Sequence, residues 1–115
     1  MKPEDHLPLA PRDLLILAVL AESPLHGYGI IKAVEERSRS GVFLDPANLY
    51  RVLRRMRGSG WIRNVEGGVA EGGCHTRRKT YEITERGRTV LRAELARLER
   101  LLDQARPALA RGLRG

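Results

Sequence analysis

A chain of 115 residues has room for one core, and its content of 42% hydrophobic and 30% charged residues excludes a disordered chain or a low-complexity fibre. A formal net charge of +7 and a pI near 10.5 make a polyanion the first partner to consider. Eighteen of the 21 basic residues are arginine, whose planar fork suits phosphates and guanine edges.

Residues 1–11 hold Pro3, Pro8 and Pro11 among mixed charges. They are expected to form a flexible arm outside the core, ending where Pro11 can occupy the first turn of a helix. From Arg12 to Glu22 the apolar residues Leu14, Leu15, Ile16, Leu17, Ala18, Val19 and Leu20 fall nearly all round a helix, which marks burial on several sides. That run is far below the roughly 20 residues of a membrane span, and no leader pattern precedes it, so neither membrane insertion nor secretion is expected. Ser23-Pro24 ends this helix. His26-Gly27-Tyr28-Gly29 opens a second, running to about Ser38 with Ile30, Ile31 and Val34 on one face.

Asp45-Pro46 is a helix start with a mechanism: the carboxylate can accept free amide hydrogens, and proline's φ suits the first helical position. In this third helix Leu49, Val52, Leu53 and Met56 form one apolar stripe, and Tyr50, Arg51, Arg54 and Arg55 project from the other side. No acidic residue lies between Pro46 and Val65, so that outer face is a concentrated positive surface. Gly58-Ser59-Gly60 stops the helix.

Trp61 to Val65 and Arg78 to Thr84 are expected strands, joined by a glycine-rich tip at Gly67–Gly73 and carrying the basic shoulder Arg77, Arg78 and Lys79. The single cysteine, Cys74, excludes an intrachain disulfide and fits a reducing, cytoplasmic setting. Its neighbour His75 adds a second metal ligand, but two adjacent ligands cannot close a four-ligand zinc site, and His6 and His26 lie in distant segments. The same pair has no group to orient a base and no oxyanion hole, so no enzyme, metal or cofactor is expected. Thr84 then caps a last helix from Glu85 to about Arg106, ended by Pro107 and followed by a tail over 107–115. Along it Leu91, Leu95, Leu98, Leu102 and Ala105 follow heptad spacing, a seam that wants a facing helix from a second copy.

The order predicts a mainly α fold with a small β-hairpin: a winged helix-turn-helix over 12–84 and a dimerisation helix over 85–106. In such a plan the third helix fits the major groove of B-DNA, about 12 Å wide, while the hairpin lies along the backbone. Leu15-Ile16-Leu17-Ala18-Val19-Leu20 followed by Pro24-Leu25-His26-Gly27-Tyr28-Gly29-Ile30 resembles the opening signature of the PadR family of bacterial transcriptional regulators. Leu49-Tyr50 with Leu53, Gly60-Trp61-Ile62, and Arg77 through Gly87 are similar to its later signatures in the same order, together covering about Leu14 to Leu102. The chain departs from the family in having Ala47-Asn48 where Gly-Thr is usual, Arg51 where proline follows, and Thr80 where a second aromatic is common. The resemblance is to the short PadR subgroup, and it implies a homodimeric repressor that presents one winged helix to each half of a palindromic operator.

On this reading Tyr50 meets a phosphate, Arg51, Arg54 and Arg55 meet phosphates or base edges, and Asn48 contacts a base or the backbone near the helix start. Arg77, Arg78 and Lys79 hold the wing to the backbone or minor groove. His26 and Tyr28 are further candidates, at a helix N-terminus that favours phosphate; the plainer reading has Tyr28 in the core. Leu91, Leu95, Leu98 and Leu102 make the dimer seam; the plainer reading has them packing onto the first helix of the same chain. A small-molecule effector is not specified, because none of Tyr28, Phe43, Tyr50, Trp61 and Tyr81 lies on the last helix; a ligand would use an apolar gap between the first and last helices. Two other readings are a metal- or thiol-responsive winged helix of another family and a winged helix used as a protein-interaction module.

Overall fold

Three helices start where the chain supplies what a helix start needs. The computed structural model describes residues 2–65 and 79–112. Helix α1 (Pro11–Glu22) opens on proline. Helix α3 (Pro46–Gly58) does the same, with the Asp45 carboxylate accepting the Asn48 amide hydrogen at 3.0 Å. Helix α4 (Glu85–Gly112) is capped by Thr84, whose Oγ1 accepts the Gly87 amide hydrogen at 3.1 Å. At the end of α3, Gly60 has φ +79, a left-handed conformation that favours glycine.

The apolar residues of α1, of α2 (Gly27–Arg37) and of α3 meet in one core, where Ile16, Leu17, Ile30, Val34, Leu49, Leu53 and Met56 are fully enclosed. The stripe expected on α3 is thus the stripe that is buried, each such side chain contributing about 1.5–3 kcal/mol relative to exposure. Beside the core lies an antiparallel sheet of β1 (Leu25–His26), β2 (Ile62–Val65) and β3 (Thr80–Ile83), in the order β1-β3-β2. Its β2–β3 pairing, Ile62 opposite Ile83 and Val65 opposite Thr80, is the base of the wing. Residues 66–78, including Cys74, His75, Arg77 and Arg78, lie outside the described residues.

Four expectations need correction. The sheet has a third strand, because Leu25 and His26 pair with Tyr81 and Thr80 before the chain enters α2. A strand of two residues carries no readable period.

The N-terminal arm is not loose. Pro3–His6 form a short 3-10 helix, Leu7 and Leu9 pack against the core, and the His6 ring stands edge-on to Trp61 at 5.3 Å. The arm is pinned by Glu94 of α4, 1% exposed, which accepts the Leu9 amide hydrogen at 2.6 Å and Arg97 Nη2 at 3.0 Å.

Helix α4 does not stop at Pro107 but continues to Gly112. The ring removes one helical hydrogen bond, yet every residue from Glu99 to Gly112 is exposed, so no packed neighbour has to give way. Finally Leu91, expected in the seam, is 8% exposed and belongs to the core of its own chain, because the first turns of α4 lie against α1 and the sheet.

The hydrogen bond from Arg97, with help from the Leu9 amide, holds the Glu94 carboxyl below its usual range against the opposing effect of burial. Its contribution to stability is therefore complete above the unfolded carboxylate pKa of about 4.3 and is lost as pH falls below it. Urea midpoints measured between about pH 5 and 3 should fall more steeply for the wild type than for Glu94→Gln.

Candidate nucleic-acid interface

Because Leu49, Val52, Leu53 and Met56 turn inward, α3 exposes Tyr50, Arg51, Arg54, Arg55 and Arg57 on its outer face. Among the described residues Arg51 and Arg54 have no carboxylate partner, so their guanidinium groups are available.

Arg55 differs from them. Its Nη2 lies 2.6 Å from Oδ2 of Asp13, a carboxylate of α1 that is 4% exposed and also receives Arg12 Nε at 3.3 Å. This pair ties the last turn of α3 to the start of α1. Nothing in the periodicity announced it; the one signal was an acidic residue directly ahead of the apolar run of α1.

Tyr50 leans over the first turn of α2. A Cβ at Gly27 would come within 2.9 Å of its hydroxyl oxygen, so the Tyr50 ring in this position lies close against the backbone of α2 and would have to shift for any larger residue there. Behind it stands Tyr81 of β3, whose hydroxyl is pushed above the ordinary phenol range by burial first and by Tyr50 second, with Arg57 acting the other way. Tyr28 projects outward, 63% exposed, and Lys32 Nζ sits 5.6 Å from its ring centroid, so Tyr28 is not a core residue. His26 is half-buried at the N-cap of α2 and its side chain makes no capping bond. The Asn48 amide nitrogen donates to Asp45 Oδ2 at 2.6 Å, which occupies one of its donors.

Lys79 is exposed at the foot of β3. Arg63, directly across β2–β3 from Glu82, is paired with it and neutralised. The structure thus gathers Asn48, Tyr50, Arg51, Arg54 and Arg55 on one helix. His26 and Tyr28 stand at the start of α2, the helix before it, where the Tyr50 hydroxyl approaches Gly27.

A family model described as the transcriptional regulator PadR-like family matches residues 16–93. The chain belongs to the PadR-like family. Its members are transcriptional regulators, not enzymes. A PadR family transcription regulator from hypervirulent Clostridium difficile R20291 is 28% identical, with 83% of this chain and 97% of that one covered and a TM-score of 0.63. Bacillus subtilis PadR, solved in complex with operator DNA, is 23% identical over 77% of this chain and 48% of its own, with a TM-score of 0.62, a likeness of fold. An uncharacterised 37.1 kDa protein in transposon TN4556 of Streptomyces fradiae is 36% identical over 88 residues, 76% of this chain. The match spans 23% of that longer protein.

Among the described residues of this PadR-like chain, no cluster of three or more His, Cys, Asp or Glu could hold a metal, and no helix is long and apolar enough to cross a membrane. A cleft of about 690 Å³ opens where the arm meets α3 and α4, walled by Pro3, His6, Ser59, Arg86 and Val90. None of its lining residues comes from α1, whereas the sequence placed an effector gap between the first and last helices.

The buried Asp13 separates the arginines of α3 by their effect on folding. Arg55→Ala leaves that carboxylate without its α3 partner and should cost about 1–3 kcal/mol by urea unfolding. Arg51→Ala and Arg54→Ala should each stay within about 0.5 kcal/mol of wild type.

Proposed function

We propose that this PadR-like protein is a sequence-specific DNA-binding repressor that acts in the cytoplasm and binds a palindromic operator as a homodimer. The observation that carries the reading is the acid-free outer face of α3, with Arg51 and Arg54 unpaired among the described residues, on the third helix of a winged helix-turn-helix. In the major groove these two arginines reach base edges or phosphates, and Tyr50 and Asn48 meet the backbone or a base near the helix start. Arg55 works mainly from below, holding α3 against α1 through Asp13, and its remaining donors can still reach a phosphate.

Lys79, with Arg77 and Arg78, takes the wing to the neighbouring backbone. Tyr28 and His26 bring the start of α2 to a phosphate. The complex of Bacillus subtilis PadR with operator DNA supports this use of the shared fold.

Dimerisation follows from what α4 leaves uncovered. Beyond Leu91 its apolar residues Leu95, Leu101, Leu102 and Leu109 are between 45% and 70% exposed, and Leu98 is half-buried. Leucines at heptad spacing in the later turns of α4, which no described part of the chain covers, are matched by the same helix of a second copy. Symmetric pairing sets two α3 helices against two half-sites, and occupancy of such a site blocks transcription.

If a dimer neutralises about 6–10 phosphates, operator affinity should fall by about three to five decades between 50 and 200 mM salt, and a flat response in a gel-shift titration rejects the proposal. In the same assay Arg54→Ala should narrow the gap between operator and random DNA, while Arg78→Ala should weaken both alike. Light scattering after size exclusion should give a dimer for the wild type and a monomer for Leu98→Glu with Leu102→Glu; a monomeric wild type refutes the seam.

A further inference from the structure

We infer that Phe43 is a base-reading residue whose ring, ahead of Pro46 and Ala47 in the chain, contacts a thymine 5-methyl group where α3 enters the major groove. This rests on the DNA-binding reading and adds to it a hydrophobic contact made outside the helix that carries the arginines. Phe43 is 85% exposed, more than any other large apolar side chain among the described residues.

Its exposure is imposed by a built turn. On one side Leu44 is 4% exposed in the core. On the other, the Val42 amide donates to Ser38 Oγ at 3.0 Å, the Gly41 amide donates to the Ser38 carbonyl at 3.0 Å, and the Val42 side chain packs against the core. Arg39 and Ser40 hold left-handed φ angles of 53 and 62, which non-glycine residues adopt at a cost. With Val42 packed on the core on one side and Leu44 buried on the other, Phe43 is the side chain of this turn left facing outward.

The position says what the ring meets. Phe43 precedes the capping residue of α3 by two positions, and the N-terminal end of a recognition helix is the part that meets base edges. Pro46 and Ala47, three and four residues further on, are exposed as well, so the start of α3 carries apolar groups at its surface. The one nearby carboxylate, Asp45, is spent on the backbone and side-chain nitrogens of Asn48. Arg51 follows within two turns and supplies charge for the flanking phosphates. In the major groove the thymine methyl is the apolar group that such a surface can recognise, and alanine and phenylalanine are among the side chains that do so.

The test uses the full-length protein and a duplex selected by the wild type from random-sequence DNA. Replacing each thymine in turn by deoxyuridine removes only the methyl group. One or two replacements should weaken wild-type binding by about threefold to tenfold, the worth of one to two buried methyl contacts. Phe43→Ala should lose affinity for the unsubstituted duplex to a similar degree, bind random DNA as the wild type does, and no longer respond to those replacements. Its melting temperature should match the wild type, since the ring is outside the core. Phe43→Ala that binds the selected duplex as tightly as wild type, or that keeps the deoxyuridine response, overturns the assignment. So does a Phe43→Ala protein that changes from dimer to monomer, which would give the ring to a second copy of the chain. A wild type that selects no sequence at all defeats the DNA-binding reading itself, which separates the two failures.

Discussion

Where α3 ends, the Gly60–Trp61 peptide is gripped from several directions. The Trp61 amide donates to the Met56 carbonyl at 3.0 Å, closing α3, and the Trp61 carbonyl accepts the Thr84 amide hydrogen at 2.9 Å. The Thr84 hydroxyl donates to the Gly60 carbonyl while accepting from Gly87. A Cβ on Gly87 would fall 2.2 Å from the Trp61 carbonyl oxygen, so α4 can start this close only with glycine there. His6 of the arm stands against the same indole. The end of α3, the sheet, the start of α4 and the N-terminal arm therefore share one anchor. The outward face of α3 is set by backbone contacts at its far end as much as by its own apolar stripe.

That anchoring divides the arginines of α3 between two tasks. Arg55 reaches down to a carboxylate enclosed beside α1, and a buried charge left unpaired is costly, so the pair resists rotation of α3 about its axis. Arg51 and Arg54, free of such partners among the described residues, are left to meet a ligand. The net charge of +7 is thus not spread evenly. On the sheet Arg63 is cancelled by Glu82, on α4 Arg97 by Glu94, and on α3 Arg55 by Asp13, whereas Arg51 and Arg54 keep their charge among the described residues.

Helix α4 has two unlike halves. Its first turns bury Gly87, Val90, Leu91 and Glu94 against the domain, and its later turns stand clear of it. The molecule measures 66 Å along its long axis against 22 Å along its short one, which follows from a helix of 28 residues that outruns the body it starts from. The arm, pinned through the Leu9 amide to Glu94, packs on the buried half only.

Much of this was legible in the sequence. Periodicity located α2 and α3 and the inward residues of α3, an apolar run between prolines located α1, heptad spacing located α4 though not its end, and Asp45-Pro46 and Thr84 marked helix starts through chemistry local to a few residues. The winged order and the family signatures were readable for the same reason, being patterns along the chain. What the tertiary structure alone decided are contacts between residues far apart. These are the pairing of Asp13 with Arg55, the pinning of the arm by Glu94, the third strand at Leu25–His26, and the diversion of Leu91 from seam to core. A heptad shows that leucines share a face of a helix, but not where the rest of the chain stops covering that face. Likewise an acid at the head of a buried apolar run shows only that a partner is needed, and the partner is chosen by the packing that brings α3 across α1.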